Sequence, residues 1–221
     1  MKGRPDARTL REMAASLQAH DADEMAIPSY LHRNPALRWM AWRRVHVVAR
    51  RIRDHLPPGG RAMDYGCGTG VLFEETAARA STVFGVDLVL DAARLWTERR
   101  QLENVVLLRP DEVAERIAPR SLDVVVAAEV LEHVDDLDAV LAMFRGVLRP
   151  NGVLVASLPT ENRVYAFGRR LAGFSGHYHH ANAATLDEGI RRASFRRESI
   201  EQVPLPGPLA IYWVTTYRVS G

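Results

Sequence analysis

Apolar residues recur along this chain with two different periods, and the switch between them marks out its elements. Residues 7 to 20 and 35 to 56 carry them at helical spacing; in the second stretch Leu37, Met40, Val45, Val48 and Ile52 form the stripe, Pro35 opens it and Pro57-Pro58-Gly59-Gly60 closes it. From Arg61 onward, short apolar runs of strand length alternate with helical stretches. The pattern predicts strands over 61–65, 82–87, 104–108, 122–128 and 153–158, helices over 70–80, 90–102 and 136–148, and a short helix near 111–117. Such alternation implies a parallel sheet covered by helices. Residues 159–184 interrupt the rhythm with Pro, Gly, Asn and aromatics, after which a helix over 185–193 and closing strands over 195–202 and 209–218 are predicted. The fold class expected is α/β and doubly wound. An N-terminal helical cap would span 1–58, and the main domain 59–221, with a substrate-side insert at about 159–184.

The first predicted strand carries the most telling pattern. It ends in Asp64-Tyr65 and runs into Gly66-Cys67-Gly68-Thr69-Gly70-Val71, three glycines at alternate positions ahead of a helix. Glycine admits backbone angles that side chains forbid, and without Cβ it lets a ligand lie against the peptide plane beside unpaired helix N–H groups. The dinucleotide fingerprint places its third glycine at the sixth position, which is Val71 here, and this disfavours a nicotinamide cofactor. The spacing apolar-Asp-x-Gly-x-Gly-x-Gly resembles motif I of the class I S-adenosylmethionine-dependent methyltransferases, and the match is complete. That resemblance implies a Rossmann-like, seven-stranded methyltransferase sheet with S-adenosylmethionine as cofactor. Asp64, Tyr65, Gly66, Cys67, Gly68 and Gly70 then become candidate cofactor-binding residues.

A second acid supports the same crevice. Thr82 to Asp87 reads as a buried strand ending in an acid, 87 − 64 = 23 residues after the first. At roughly that interval an acid reaches the tip of the second strand and accepts hydrogen bonds from ribose hydroxyls; the bland alternative is that Asp87 caps the following helix. Leu88 beside it joins the candidate site. After the third strand come Asp111 and Glu112, where the resembled family places an acid against the adenine amino group; an N-cap is the competing role for Asp111. After the fourth strand, Glu129-Val130-Leu131-Glu132-His133 resembles small-molecule methyltransferases and lacks the Asn/Asp-Pro-Pro-aromatic motif of enzymes that methylate nucleic-acid bases. Glu129 is taken as a cofactor contact. The same run, together with Leu31-His32-Arg33-Asn34-Pro35-Ala36-Leu37-Arg38, is similar to stretches of the polyprenyl-catechol O-methyltransferases of ubiquinone biosynthesis. If 129–133 formed a helical turn, Glu129, Glu132 and His133 would share a face suited to a divalent ion; since Glu-His here is widespread among metal-free relatives, no metal is assigned.

Candidate acid–base groups are histidines, which titrate near neutral pH. Gly173 to His180 sets three of the eight histidines within four residues on the insert. His177 is the first catalytic candidate, with His179 as its neighbour, and His133 is the second. A zinc site is not implied by His177, His179 and His180 alone.

Charge and cysteine narrow the setting. The net charge of +2 over 221 residues is too small to imply nucleic acid, and the basic residues are nearly all arginine, with Lys2 the single lysine. Arginines of the 35–56 helix, interleaved with Trp39 and Trp42, suit either lipid headgroups or plain solvent exposure. Cys67 is the sole cysteine, which excludes an intrachain disulfide and suits a reducing compartment. The charged N-terminus lacks an apolar leader and no stretch approaches the roughly 20 apolar residues of a membrane span, so a cytoplasmic location with at most peripheral membrane contact is expected. The expected activity is methyl transfer from S-adenosylmethionine to a small-molecule or lipid-like acceptor, most readily at oxygen. Two alternatives stay open: a non-catalytic protein that keeps the cofactor pocket as a binding or assembly partner, and a nucleic-acid methyltransferase.

Overall fold

The computed structural model describes residues 4–18, 26–160 and 182–219. Seven strands make one sheet in the order β3-β2-β1-β4-β5-β7-β6. They are β1 (Arg61–Tyr65), β2 (Thr82–Val86), β3 (Val105–Leu108), β4 (Leu122–Ala128), β5 (Leu148–Pro159), β6 (Phe195–Val203) and β7 (Tyr212–Val219). The first five run parallel, and β7 lies antiparallel to both β5 and β6. The chain steps outward from β1 to β3, then returns to β4 on the other side of β1. The order reverses between β1 and β4, which puts the ligand crevice at the C-terminal ends of those two strands.

Alternation along the strands divides the core between two faces. Ala62, Val124, Val126, Val153, Val155 and Val214 turn one way, where they meet the long helix α3 (Pro35–His55) through Val45, Val48 and Ile52, and the helix α5 (Asp91–Arg100) through Trp96. The short helices α1 (Ala7–Ala15) and α2 (Ile27–Tyr30) add Leu10, Met13 and Tyr30 to that face. Met63, Val125, Ala127 and Leu154 turn the other way, onto Leu141 and Phe144 of α7 (Leu137–Val147) and Leu186 and Ile190 of α8 (Ala183–Arg192). Central parallel strands covered on both sides must be apolar throughout. In β4 every residue from Leu122 to Ala127 is buried, and all but Asp123 are apolar.

Helix α3 begins as expected, with Asn34 accepting the Ala36 N–H and Pro35 in the first turn, and it ends at His55. Several bounds differ from the sequence reading. α1 stops at Ala15 rather than reaching 20. The helix after the glycine loop, α4, covers only Phe73–Ala77, because Gly70 at φ +71° and the tight turn from Cys67 carry the chain past the expected start. β5 starts at Leu148, directly on the end of α7, and takes the Pro150-Asn151-Gly152 turn into itself as an irregularity opposite Leu122 to Val124. The chain ahead of β7 forms a 3₁₀ turn over Gly207–Leu209, so that strand begins at Tyr212. Among the described residues no helix is long and apolar enough to cross a membrane.

Candidate active site

Where β1 ends, Gly66, Gly68 and Gly70 all adopt positive φ, at +74°, +50° and +71°. The three are not equivalent. A Cβ on Gly66 would fall 2.5 Å from Val130, and one on Gly70 would fall 2.6 Å from the Phe73 ring, so those two glycines are demanded by packing. A Cβ on Gly68 would meet nothing within 4 Å. Gly68 is bare main chain facing open space.

Asp87 reaches that residue from the tip of β2. Its Oδ2 accepts the Gly68 N–H at 2.7 Å and its Oδ1 accepts the Val89 N–H at 3.3 Å. The Gly66 and Cys67 N–H groups both reach the Val86 carbonyl, at 2.8 and 3.1 Å, which ties the loop to the same strand end. Burial raises the Asp87 carboxyl above its ordinary value against the pull of the Gly68, Val89 and Leu88 N–H groups. Asp64 is buried behind it and is pushed up to about 7, by burial first and then by the Asp87 charge. Two acids with no cationic partner among the described residues thus sit beside an open glycine. Such a pair suits a ligand that brings hydroxyls and positive charge.

The remaining candidates divide. Cys67 is buried, and burial, then Asp64 and Asp87, raise its thiol; it packs and does not react. The Tyr65 ring turns edge-on to Phe144, with centroids 5.2 Å apart. Leu88 is 66% exposed beside Asp87, an apolar surface of the kind a flat ring covers. Glu112 Oε2 accepts the Arg109 N–H at 2.7 Å, closing the turn at Pro110–Glu112 ahead of the short helix α6 (Val113–Arg116); the N-cap of that turn is Arg109, not Asp111. Asp111 stays exposed, with Arg109 Nε at 3.7 Å.

At the end of β4 the expected helical turn does not include Glu129. This residue is left-handed, at φ +58°, and only Leu131–His133 form a 3₁₀ turn. Its carboxylate faces Arg44 of α3, with Oε2 3.0 Å from Nη1, while Oε1 accepts the Ser157 hydroxyl at 2.9 Å. The shared face of Glu129, Glu132 and His133 is therefore not built. Among the described residues no group of three His, Cys, Asp or Glu side chains is placed to hold a metal ion. Glu132 is buried, and half-exposed His133 lies 4.0 Å away from it, Nε2 to Oε1. His177 and His179 lie outside the described residues.

The sequence reading missed the partners of Glu129. Arg44 is buried, reaches to 3.5 Å from the Tyr30 hydroxyl and stacks 5.0 Å from the centre of the Tyr212 ring. Burial opposes its charge, but Glu129 and then the two tyrosines raise its pKa. Burial raises both tyrosine hydroxyls as well. One signal was present: Arg44 is three residues after Ala41 and four before Val48, on the buried stripe of the helix rather than among its solvent-facing arginines.

Known proteins carry the same arrangement of strands. The structure matches the N-methyltransferase NodS of Bradyrhizobium japonicum, crystallised with S-adenosylhomocysteine, with a TM-score of 0.66 over 96% of this chain and 99% of that one at 18% identity. It also matches a 1,6-didemethyltoxoflavin N1-methyltransferase of Burkholderia thailandensis, with a TM-score of 0.65 over 100% and 94% of the two chains at 21% identity. In sequence, a ubiquinone biosynthesis O-methyltransferase of Cupriavidus pinatubonensis is 35% identical over 108 residues, 47% of this chain and 43% of that protein. The counterpart in Pseudomonas fluorescens is 34% identical over 114 residues, 49% of each. The chain spans about half the length of these curated relatives. A family profile described as a methyltransferase domain matches residues 33–203. With that span, and with this sheet order and glycine loop, the chain belongs to the methyltransferase-domain family.

Proposed function

We propose that this protein transfers a methyl group from S-adenosylmethionine to an oxygen of a small-molecule or lipid-like acceptor. The observation that carries the reading is the Gly68 N–H held by Asp87 at 2.7 Å beside an open glycine position, with the raised carboxyl of Asp64 behind. These residues fit the cofactor: Asp87 would take the ribose hydroxyls, Gly68 would let the adenosyl group approach the main chain, and Asp64 would ionise opposite the ammonium. Exposed Leu88 and Asp111 would border the adenine. When bound, the cofactor supplies a methyl group already activated on a sulfonium.

The chain's own residues then have to align the acceptor and exclude water. Oriented proximity is worth up to about 7–11 kcal/mol, whereas a general base adds about 10²–10⁴-fold. Alignment is thus the larger effect, and an acceptor that arrives ionised needs no base. Where a base is used, His133 and His177 are the proposed groups. Oxygen as the methylated atom rests on the O-methyltransferase relatives. On this reading residues 1–58 form the helical cap and 159–184 the acceptor side, and the protein works in the cytoplasm.

The test is incubation with labelled S-adenosylmethionine and a panel of catechols, with and without an isoprenoid tail, read by mass spectrometry. Labelled methyl ether and S-adenosylhomocysteine should form together, and Asp87→Ala should lose both. Label transfer undiminished in Asp87→Ala would overturn the assignment of the ribose acid.

A further inference from the structure

We infer that Arg44 is a positioning residue for the glycine loop: from the helix ahead of the sheet it pins Glu129, and through Val130 it fixes the main chain at Gly66. The inference rests on the cofactor reading above. It is carried by a continuous run of contacts. Arg44 is 7% exposed, and its guanidinium divides its contacts among Glu129 at 3.0 Å, the Tyr30 hydroxyl at 3.5 Å and the Tyr212 ring at 5.0 Å. A planar, five-donor group held on three sides has little freedom to turn.

Glu129 is a residue that needs holding. A side chain at φ +58° is unfavourable for any residue with a Cβ, and such geometry persists only where the surroundings over-determine it. Here the surroundings are the Glu129 N–H donated to the Ser157 carbonyl at 3.1 Å, the Ser157 hydroxyl on Oε1 at 2.9 Å, and Arg44 on Oε2. Ser157 belongs to the neighbouring strand β5 and fixes Glu129 from the sheet; Arg44 fixes it from the helical layer. The next residue transmits the constraint. Val130 lies so close to Gly66 that an added Cβ would fall 2.5 Å from it, which leaves the two segments no slack. Gly66 is in turn two residues from Gly68, whose N–H meets Asp87.

A buried ion pair is a poor choice for stability alone, since well-packed apolar side chains of similar volume often do as well or better. What the pair adds is direction. It makes the shape of the cofactor loop depend on helix α3, although no residue of that helix belongs to the glycine loop or the acid pair.

The experiment is calorimetry with S-adenosylhomocysteine on the full chain, comparing wild type with R44Q, R44K, E129Q and the R44Q/E129Q double variant, each checked for a cooperative melt. R44Q and E129Q should each weaken binding by about tenfold or more, the double variant should bind no worse than the weaker single, and R44K, which keeps the charge but not the planar fork, should recover part of the loss. A pair that merely glued the helix to the sheet would lower melting temperatures and leave the affinity of folded protein unchanged, and that result overturns the inference. Should R44Q not fold, E129Q and R44K decide: unchanged affinity in E129Q overturns the inference, and loss in E129Q with a smaller loss in R44K supports it. Wild-type protein that ignores S-adenosylhomocysteine overturns the cofactor reading and this inference together. Wild type that binds, alongside an R44Q of equal affinity, overturns this inference alone.

Discussion

Buried carboxylates stand at both ends of the sheet, and they are employed in opposite ways. At the base, where the parallel strands begin, Asp123 accepts the Arg61 N–H at 2.7 Å and pairs with Arg149 at 2.6 Å, so β1, β4 and the start of β5 are tied by one side chain. At the top, where those strands end, Asp64 and Asp87 lie next to each other with no cation paired to them among the described residues, and both carboxyls are raised by burial. Asp123 spends its carboxylate on a strand N–H and an arginine, whereas Asp64 and Asp87 keep raised carboxyls at the crevice, where the donors to Asp87 are the Gly68 and Val89 N–H groups. That difference supports the proposal that a ligand completes the crevice.

The contrast can be broken by substitution. Asp123→Ala should have the largest effect on folding, about 2–3 kcal/mol from the stranded Arg61 N–H and the lost pair with half-exposed Arg149, measured by urea unfolding. Its affinity for S-adenosylhomocysteine should be that of wild type. Asp87→Ala should shift the balance toward binding: affinity weakened by about 10- to 100-fold, corresponding to about 1.5–3 kcal/mol for hydrogen bonds to a charged acceptor, with a smaller loss of stability than Asp123→Ala because the freed Gly68 N–H faces open space. A matching loss of stability at both sites would erase the distinction.

The pH response sharpens it. Asp64 is pushed up to about 7 in the folded protein, whereas an unfolded Asp titrates near about 4. The free protein therefore keeps a proton that the unfolded chain releases. Its stability should fall as pH rises through the window from about 4 to 7 and level off above, and Asp64→Asn should flatten that slope. A ligand that places an ammonium opposite Asp64 favours the ionised acid, so affinity for S-adenosylhomocysteine should rise by up to about tenfold between about pH 6 and 8. An affinity independent of pH would remove Asp64 from the site.

The smallest effect is expected at the middle glycine. Gly68→Ala introduces a Cβ into open space at φ +50°, costing about 1 kcal/mol of stability by its backbone strain. Gly66→Ala adds the clash with Val130 and should melt lower. In ligand affinity Gly68→Ala should nonetheless lose several-fold, because the open space is where the ligand would lie.

Much of the fold was legible because both periods were clean. Strand β1 forms over the residues its pattern predicts, and β4 follows from an apolar run that only a strand buried on both faces explains. The glycine loop was readable because positive φ at Gly66, Gly68 and Gly70 constrains residue type, not merely polarity, and Asp87 because it stands at the end of a buried apolar strand. The role of Glu129 was not readable, since its left-handed backbone depends on Ser157 and Arg44, 28 and 85 positions away (157 − 129 and 129 − 44). Arg44 itself was hidden by company: seven other arginines flank or share its segment from Arg33 to Arg61, and only helical phase separates it from those in water. The hydrogen bond that Glu112 makes within its own turn was not readable either, since composition cannot tell such a local contact from any other.

The most direct test of the central claim is a crystal structure with S-adenosylhomocysteine bound. The ribose hydroxyls should lie on the Asp87 carboxylate and the adenosyl group against the main chain at Gly68. An empty crevice, or a ribose held by another acid, would contradict it.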